Sequence, residues 1–318
     1  MLAWFWRAVT AALVLLALLW AADWRDQPAL ALIGALVILF AHVPVMAVEF
    51  FVLLPLLNQG DPAPPASLTQ RARAWWEEST GAVRVFGWRL PWRANAEPDQ
   101  LDLPGHRALV LVHGFVCNRA LWNPWMRRLR AAGVPFIAVN LEPVFGSITT
   151  YAAVIDDAVR RARAATGLAP LIVAHSMGGL ATRAWLRAHA DNDEHIAGVV
   201  TIGTPHHGTS LARLGYAANA REMRRAGPWL TNLGAHEPAT RWTRFTCFFS
   251  HCDNIVLPAS TATLAGARNL HVPGAAHVAL VEREEVFAEV LRLQRQATSL
   301  SPGTTVPGGI VGNSRNSR

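Results

Sequence analysis

The nine residues 171–179, LIVAHSMGG, decide the fold and carry the strongest functional signal in the chain. The first four are aliphatic and predict a buried strand, whereas the residues from Gly179 onward have helical periodicity. Ser176 therefore lies at a strand-to-helix turn. The residues two positions before and after such a serine must be small, because the strand and the helix approach each other closely there. Ala174 and Gly178 meet that requirement, which predicts an exposed and reactive serine hydroxyl.

Around this turn the chain alternates apolar strands with amphipathic helices from about residue 81 to residue 296. Short continuous apolar runs separated by helical patterns indicate a mostly parallel sheet that helices cover on both faces. The predicted strands are 107–112, 135–139, 171–174, 197–202, 244–249 and 268–272. The predicted helices are 121–132, 150–165, 179–190 and 281–296. Functional side chains of such sheets gather beyond the carboxyl ends of the strands, so the turns there are the candidate sites.

Two of these turns supply the groups that a reactive serine needs. A serine hydroxyl is a poor nucleophile near neutral pH, so it requires a general base that is itself oriented by a carboxylate. Asp253 follows the strand 244–249 in the segment SHCDNIVLP, and His277 follows the strand 268–272 in the segment GAAHV. Serine, acid and histidine then occur in the chain order that is typical of hydrolases with this kind of turn.

Four separated motifs together resemble the α/β-hydrolase superfamily, in particular bacterial triacylglycerol lipases and related esterases. They are AHSMGG at 174–179, VHGF at 112–115, GTPHHGT at 203–209, and the late acid and histidine segments. The resemblance extends from about residue 81 to residue 296. It implies the α/β-hydrolase fold and a catalytic triad of Ser176, Asp253 and His277. It also implies that no metal or organic cofactor is required.

Backbone N–H groups are expected to stabilise the oxyanion that forms when the serine attacks an ester carbonyl. One donor is expected at Met177, directly after the nucleophile. The resemblance implies the second at Phe115, in a loop where Gly114 permits a close backbone approach. The positions expected to shape loops or the pocket are His113, Gly114, His175, Gly178, His206 and His207. We expect the His175 side chain to point away from the reacting hydroxyl, because successive residues on a turn diverge.

A zinc site is the alternative use of the histidines in this region. The adjacent histidines of the GTPHHGT segment, together with the HCD segment at 251–253, bring potential ligands close in sequence. Their spacing matches no known pattern of zinc ligands, so we predict no metal. The chain has three cysteines, which form no disulfide framework. Whether Cys247 and Cys252 pair stays open.

The composition points to a membrane segment. Hydrophobic residues make up 52% of the chain and charged residues 16%, which excludes an intrinsically disordered protein. Most of the apolar excess lies in residues 1–57, where the runs 8–22 and 28–57 are each long enough to cross the hydrocarbon core of a bilayer. The short polar stretch 23–27 between them predicts a two-helix transmembrane hairpin. A cleaved signal peptide is the alternative for the first run, but its end lacks a good cleavage site.

The arginine distribution gives a location and limits the partners. Its balance around the hairpin favours both ends, and hence the catalytic domain, on the cytoplasmic side of a bacterial inner membrane. The net charge is +7 and every basic residue is arginine, which suits anionic lipid, although a GC-rich genome also favours arginine codons. Arginine clusters interleaved with aromatic residues do not occur, which argues against nucleic-acid binding.

The sequence therefore predicts an anchor at 1–57, a linker at 58–80, an α/β-hydrolase domain at 81–298 and a disordered tail at 299–318. The predicted function is a membrane-anchored serine hydrolase that cleaves carboxylic, by analogy lipid, esters through an acyl-enzyme. A thioesterase or acyltransferase would use the same residues, and a non-catalytic membrane scaffold or transport-associated protein is the alternative from another class. The segment 211–240 forms either a cover over the acyl pocket or a core helix pair. Acyl length, head group and oligomeric state do not follow from the sequence.

Overall fold

A six-stranded sheet forms the centre of the computed structural model, which describes residues 1–188 and 191–299 of the chain. The strands are β1 Leu109–Val112, β2 Phe136–Ala138, β3 Leu171–His175, β4 Gly198–Ile202, β5 Phe245–Phe249 and β6 Arg268–His271. They follow the spatial order β2-β1-β3-β4-β5-β6, and all neighbours run parallel. The predicted parallel sheet flanked by helices is confirmed, and the strand ends differ from the predicted ones by at most two residues.

Helices precede the sheet and cover both of its faces. They are α1 Leu2–Asp23, α2 Pro28–Leu39, α3 His42–Val48, α4 Leu54–Leu57, α5 Leu68–Ala82, α6 Leu90–Trp92, α7 Asn123–Ala131, α8 Ala152–Thr166, α9 Met177–Ala188, α10 Ala218–Glu222, α11 Pro228–Ala235 and α12 Glu284–Ser299. The π-helical segments Glu49–Leu53 and Val83–Arg89 join α3 to α4 and α5 to α6. Short 3-10 turns lie at Arg119–Trp122, Ile148–Tyr151, Asn192–His195, Ser210–Leu214, Ala239–Arg244, Ala259–Ala262 and Ala279–Glu282. The tail predicted at 299–318 lies outside the described residues, apart from Ser299 at the end of α12.

Strands β1 to β5 are buried on both faces of the sheet, because successive side chains of a strand point to opposite sides and helices cover both sides. On one face, Val173 of β3 shares a core with Trp125 of α7 and Phe287 of α12. On the other face, Ile172 of the same strand shares a core with Trp185 of α9. This double cover explains why the strands are continuous apolar runs rather than alternating ones.

The first apolar run of the sequence forms one helix, and the second run is broken. Among the described residues, α1 is the helix that is by itself long and apolar enough to cross a membrane, with a mean hydropathy of 2.0. The second run consists of α2 and the segment His42–Leu57, which meet at a bend of 57°. Pro44 explains the break, because proline lacks an N–H group and its ring clashes with the carbonyl four residues earlier, that of Phe40. The pair has the length of a second span only when both halves are counted together.

The part of this pair that follows the bend reaches the sheet domain. Phe50 and Leu54 are only 0% and 2% exposed, and they share a cluster with Leu257 and Ala276 of the domain. The second apolar run therefore has one half beside α1 and one half that ends on the domain.

The stretch predicted as a linker, 58–80, contains all but the last two residues of the helix α5. Its first turn is closed by a reciprocal pair of hydrogen bonds: Ser67 Oγ accepts from the Gln70 N–H at 3.2 Å, and Gln70 Oε1 accepts from the Ser67 N–H at 2.9 Å. This capping box and the burial of Glu78 on the domain side of the helix make the stretch part of the packed structure. The proline-rich stretch 61–65 predicts a linker, whereas the S-x-x-Q pattern at 67–70 is a helix start signal.

Candidate active site

The serine after β3 has an unusual backbone conformation. β3 ends at His175, α9 begins at Met177, and Ser176 between them has a φ of +54°. This left-handed conformation is costly for a residue that carries a side chain. A Cβ on Gly178 would lie 2.6 Å from the carbonyl oxygen of His113, so glycine is what allows α9 to approach the end of β1. The strained turn holds the serine hydroxyl beyond the edge of the sheet.

The structure brings Ser176, His277 and Asp253 into one hydrogen-bonded row. Ser176 Oγ lies 3.0 Å from His277 Nε2, and His277 Nδ1 lies 2.8 Å from Asp253 Oδ2. The three residues are 6%, 5% and 2% exposed in that order from serine to histidine to aspartate. With Nδ1–H donating to the carboxylate, Nε2 is free to accept the serine proton. The row is therefore able to move a proton from the serine oxygen to the imidazole.

The charge of the aspartate decides the basicity of the histidine. Burial lowers the pKa of His277, but the carboxylates of Asp253, Glu78 and Glu49 together outweigh burial and raise the pKa above its ordinary value. Asp253 is held in turn by the backbone N–H groups of residues 255–256, each 2.8 Å from Oδ1. These bonds leave Oδ2 facing the imidazole.

The loop after β1 runs close to the serine. A Cβ on Gly114 would lie 2.7 Å from the Cβ of Ser176, so this approach requires glycine. The two residues expected to donate to an oxyanion, Met177 and Phe115, directly follow the two residues that meet here. The role of these two N–H groups in binding an oxyanion stays a prediction.

His113 forms hydrogen bonds that fix the conformation of this loop. Burial lowers its pKa to about 4, so the ring is neutral. Its Nε2 accepts the N–H of Leu141 at 3.0 Å, which leaves Nδ1 to donate to the Gly114 carbonyl at 2.8 Å. His113 therefore has a loop-shaping position and no contact in the hydrogen-bonded row.

His175 makes a contact that the sequence analysis did not expect. Its ring centre lies 4.7 Å from that of His277, and its Nε2 donates to the His277 backbone oxygen at 3.2 Å. The reason is the alternation along β3: His175 points to the same side as Val173, and the residues next to His277, Ala275 and Val278, pack on that side. Burial and the neighbouring His277 lower the pKa of His175, so a neutral ring lies behind the row.

His206 and His207 lie outside the row. His206 Nε2 is 3.0 Å from the hydroxyl of Thr201, and burial lowers its pKa well below the ordinary value. His207 lines a separate cavity of about 380 Å³. Cys247, which contacts His206, and Cys252 are both buried and free. Within residues 1–188 and 191–299, no group of three or more histidine, cysteine, aspartate or glutamate side chains is arranged to hold a metal ion.

The segment 211–240 packs into the domain as α10 and α11. Met223 and Leu230 are buried in the core on the α9 side of the sheet. Arg183 of α9 and Glu237 form a buried ion pair with an N–O distance of 2.6 Å. Of the two alternatives for this segment, the packing supports the core helix pair.

Two acidic side chains beside the row were not singled out from the sequence. Glu78 of α5 is 4% exposed, and its carboxylate oxygens accept the N–H groups of Val278 and Ala279 at 2.9 and 3.1 Å. Glu49 Oε2 accepts from Asn254 Nδ2 at 2.7 Å. The sequence offers a signal for Glu49 alone, because a carboxylate inside an apolar run requires a polar partner.

Comparisons with known proteins agree with this architecture. A family model described as alpha/beta hydrolase fold matches residues 107–225, a stretch that contains Ser176 but neither Asp253 nor His277. The mature lipase BlEst2 of Bacillus licheniformis superposes with a TM-score of 0.52 at 18% identity, over 62% of this chain and 94% of that one. Its propeptide form gives a TM-score of 0.53 at 18% identity, over 69% of this chain and 54% of that one.

Lipase B of Aspergillus fumigatus superposes with a TM-score of 0.53 at 16% identity, over 59% of this chain and 52% of that one. The chain thus spans about half the length of this lipase and of the propeptide form of BlEst2. A search of curated protein sequences finds no match. The family match and the three superpositions show that the chain has the α/β-hydrolase fold that its motifs resemble. The superposed structures of that class are those of proteins named lipases.

Proposed function

We propose that this protein is a serine hydrolase that cleaves carboxylic esters of lipids at a membrane. The observation that carries the proposal is the row in which Ser176 Oγ lies 3.0 Å from His277 Nε2 and His277 Nδ1 lies 2.8 Å from Asp253. The strained serine turn and the similarity to proteins named lipases support it further.

The reaction uses each of these groups in turn. His277 Nε2 takes the hydroxyl proton as Ser176 Oγ bonds to the acyl carbon, and the oxyanion accepts hydrogen bonds from the N–H groups of Met177 and Phe115. The ester C–O bond then breaks, and the imidazolium gives its proton to the leaving alcohol oxygen. Water, activated by the same base, releases the acid and restores the serine. Asp253 keeps Nδ1 protonated and stabilises the imidazolium.

Replacement of the nucleophile tests this proposal. We expect Ser176→Ala to lose hydrolysis of nitrophenyl esters by at least about 10⁴-fold and to lose labelling by a fluorophosphonate probe, because no other group occupies the end of the row. Ser210→Ala, on a partly exposed loop, is the matched control and keeps both. Activity that persists in Ser176→Ala contradicts the proposal.

The same assay separates the alternatives. Faster release of acyl groups to added glycerol than to water identifies an acyltransferase, and preference for thioesters identifies a thioesterase. A wild-type protein that neither hydrolyses esters nor reacts with the probe is a scaffold.

We also propose that the N-terminal helices attach the domain to a bilayer. The leucines along α1 are largely exposed. Trp4 and Trp24 near its two ends are 20 positions apart, which corresponds to about 30 Å of helix, the thickness of a hydrocarbon core. Such aromatic residues favour the two interfaces of a membrane. α2 packs on α1 at Gly34, where a Cβ would lie 1.8 Å from the Trp20 indole nitrogen.

The base of this hairpin has the chemistry of a membrane interface. Trp88 lies in the π-helical segment Val83–Arg89, and Trp92 is the last residue of α6. Both side chains are exposed. Arg7 of α1 sits between two indoles, 4.7 Å from the ring centre of Trp4 and 4.8 Å from that of Trp92. Tryptophan and arginine side chains with apolar bodies and polar ends suit the head-group region.

A series of aromatic ring contacts connects α1 to the candidate active site. Phe5 of α1 lies 6.1 Å from Phe145, and Phe145 lies 6.0 Å from Phe115, between ring centres. An apolar path that begins at the membrane-facing helix and ends at the expected oxyanion donor supports a substrate with a fatty acyl chain.

A further inference from the structure

Two carboxylates from the helices that precede the sheet domain reach its acid and base loops. We propose that Glu49 and Glu78 are positioning residues that fix Asp253 and His277 relative to Ser176. The N-terminal helices are then a working part of the active site and not a separable anchor. This inference rests on the proposed function.

Glu78 holds the base loop directly after the histidine. Its Oε1 accepts the N–H of Val278 at 2.9 Å, and its Oε2 accepts the N–H of Ala279 at 3.1 Å. These donors lie at the start of the 3-10 turn Ala279–Glu282, where N–H groups have no partner within the turn. A buried carboxylate that binds both N–H groups fixes the direction in which the chain leaves His277, and with it the position of the imidazole.

Glu49 holds the acid loop through the residue that follows the aspartate. Asn254 is 1% exposed, and its Nδ2 donates to Glu49 Oε2 at 2.7 Å. Its Oδ1 therefore faces the other way, where it accepts the backbone N–H of His277 at 3.4 Å. Glu49 sets the orientation of this amide, and the amide joins the loop of Asp253 to the loop of His277.

The two carboxylates also add negative charge beside the imidazole. Burial raises the pKa of Glu78 to about 7, against the two N–H groups that lower it. The ionisable groups that act on or face Glu78 are His277, Asp253 and the thiol of Cys117, whose own pKa burial and Glu78 raise to about 12. The ionised carboxylate binds two N–H groups, so the hold on the base loop is strongest above neutral pH.

Glu78→Gln in the full-length protein in detergent micelles tests the inference. An amide of the same size accepts one N–H and turns its own NH₂ group toward the other. We expect kcat for a soluble ester to fall about 10- to 100-fold at pH 8.5, as a small misplacement of a reacting group does, with KM within twofold. The difference in kcat between the wild type and the variant becomes smaller at pH 6, because Glu78 of the wild type is mostly protonated there. In addition, His277 of the variant has a lower pKa, since the charge of Glu78 is missing. Glu285→Gln, which changes an exposed carboxylate on α12, is the matched control.

If Glu78→Gln fails to fold, two variants at Glu49 test the inference instead. Glu49→Ala removes the partner of Asn254, and we expect kcat to fall about tenfold. Glu49→Gln keeps an acceptor for Asn254 and recovers most of that loss. A carboxylate that merely stabilised the fold would lower the Tm without this difference in kcat between two folded variants.

The outcomes separate the inference from the proposed function. Glu78→Gln or Glu49→Ala that reacts with the fluorophosphonate probe and turns over at the wild-type rate at pH 8.5 overturns the inference and leaves the proposed function intact. An equal loss in Glu285→Gln overturns it as well. Activity that persists in Ser176→Ala overturns the proposed function itself.

Discussion

Asp253 does two things with its two oxygens. Oδ1 accepts two backbone N–H groups of its own loop, and Oδ2 faces the imidazole of His277 at 2.8 Å. Because the first set of bonds fixes the carboxylate, the second is made without reorganisation during the reaction. The position of this side chain thereby fixes the tautomer of the base and contributes to raising its pKa.

Asp253→Asn is expected to lower kcat about 10⁴-fold, because the amide no longer favours the Nδ1–H tautomer or the imidazolium. It also changes the pH profile. In the wild type His277 must be neutral to accept a proton, and its pKa is raised above 6.5, so kcat/KM falls as the pH drops through that raised value. Without the carboxylate, burial lowers the pKa, and the acid limb moves to lower pH. Measurement of kcat/KM for both proteins between pH 5 and 9 tests this shift. An acid limb at the same pH in both proteins contradicts the prediction.

Residues with local signals were predictable from the sequence, and residues with distant partners were not. Ser176, Asp253 and His277 each follow a strand, and their residue types fit one reaction. Glu49 and Glu78 bind groups 205 and 200 positions away, so no window of sequence contains both partners.

At the scale of elements, the approach of α9 to β1 depends on Gly178. An added Cβ would lie 2.6 Å and 2.7 Å from the carbonyl oxygens of His113 and Val112, and backbone atoms cannot move aside as a flexible side chain can. We expect Gly178→Ala to cost about 1–3 kcal/mol of stability and to lower kcat more than about 100-fold, since the turn at Ser176 moves with the helix.

Gly234→Ala is the matched control for that prediction. Gly234 also lies in a helix, α11, and nothing lies within 4 Å of a Cβ added there. Alanine should therefore stabilise the protein by up to about 1 kcal/mol through its helix propensity and leave activity unchanged. Thermal unfolding and ester hydrolysis of the two variants provide the comparison. Equal effects from both would show that the close contact at Gly178 is unimportant.

The elements themselves were predictable where one period dominates the sequence. Strands β1 to β5 are short, mostly apolar runs between helical patterns, and the edge strand β6 follows the same spacing although it begins with exposed Arg268 and Asn269. The break after α2 was not found, because hydropathy alone treats the run 28–57 as continuous and Pro44 costs little apolarity. The proline-rich stretch 61–65 predicts a linker, although the start signal at Ser67 lies just after it and begins α5. In both cases a local signal, a proline in one and a helix cap in the other, determines the backbone structure against the prediction from composition.

At the scale of the whole molecule, the turn between α1 and α2 and the sheet domain are expected on opposite sides of one bilayer. Arg25 lies in the turn between α1 and α2, and Tyr216 is a highly exposed residue of the domain. Because the three native cysteines are buried and free, Arg25→Cys and Tyr216→Cys each introduce one accessible thiol. We expect a membrane-impermeant maleimide to label Arg25→Cys from the periplasmic side and Tyr216→Cys only after the cytoplasmic side is exposed. Labelling of both from one side contradicts a crossing hairpin.

The bonds between the N-terminal helices and the two loops also constrain how this chain can be recombined. In a chimaera whose first 58 residues come from another protein, the loops at 253–259 would lose two hydrogen-bond acceptors. These are the carboxylate of Glu49, which binds Asn254, and Asn58 Oδ1, which binds the N–H of Ala259. A crossover within residues 24–27, at the tip of the hairpin, cuts none of these bonds. Inherited variation should therefore accumulate at the tip, whereas His42–Leu57 and the loops at 253–259 change as one unit.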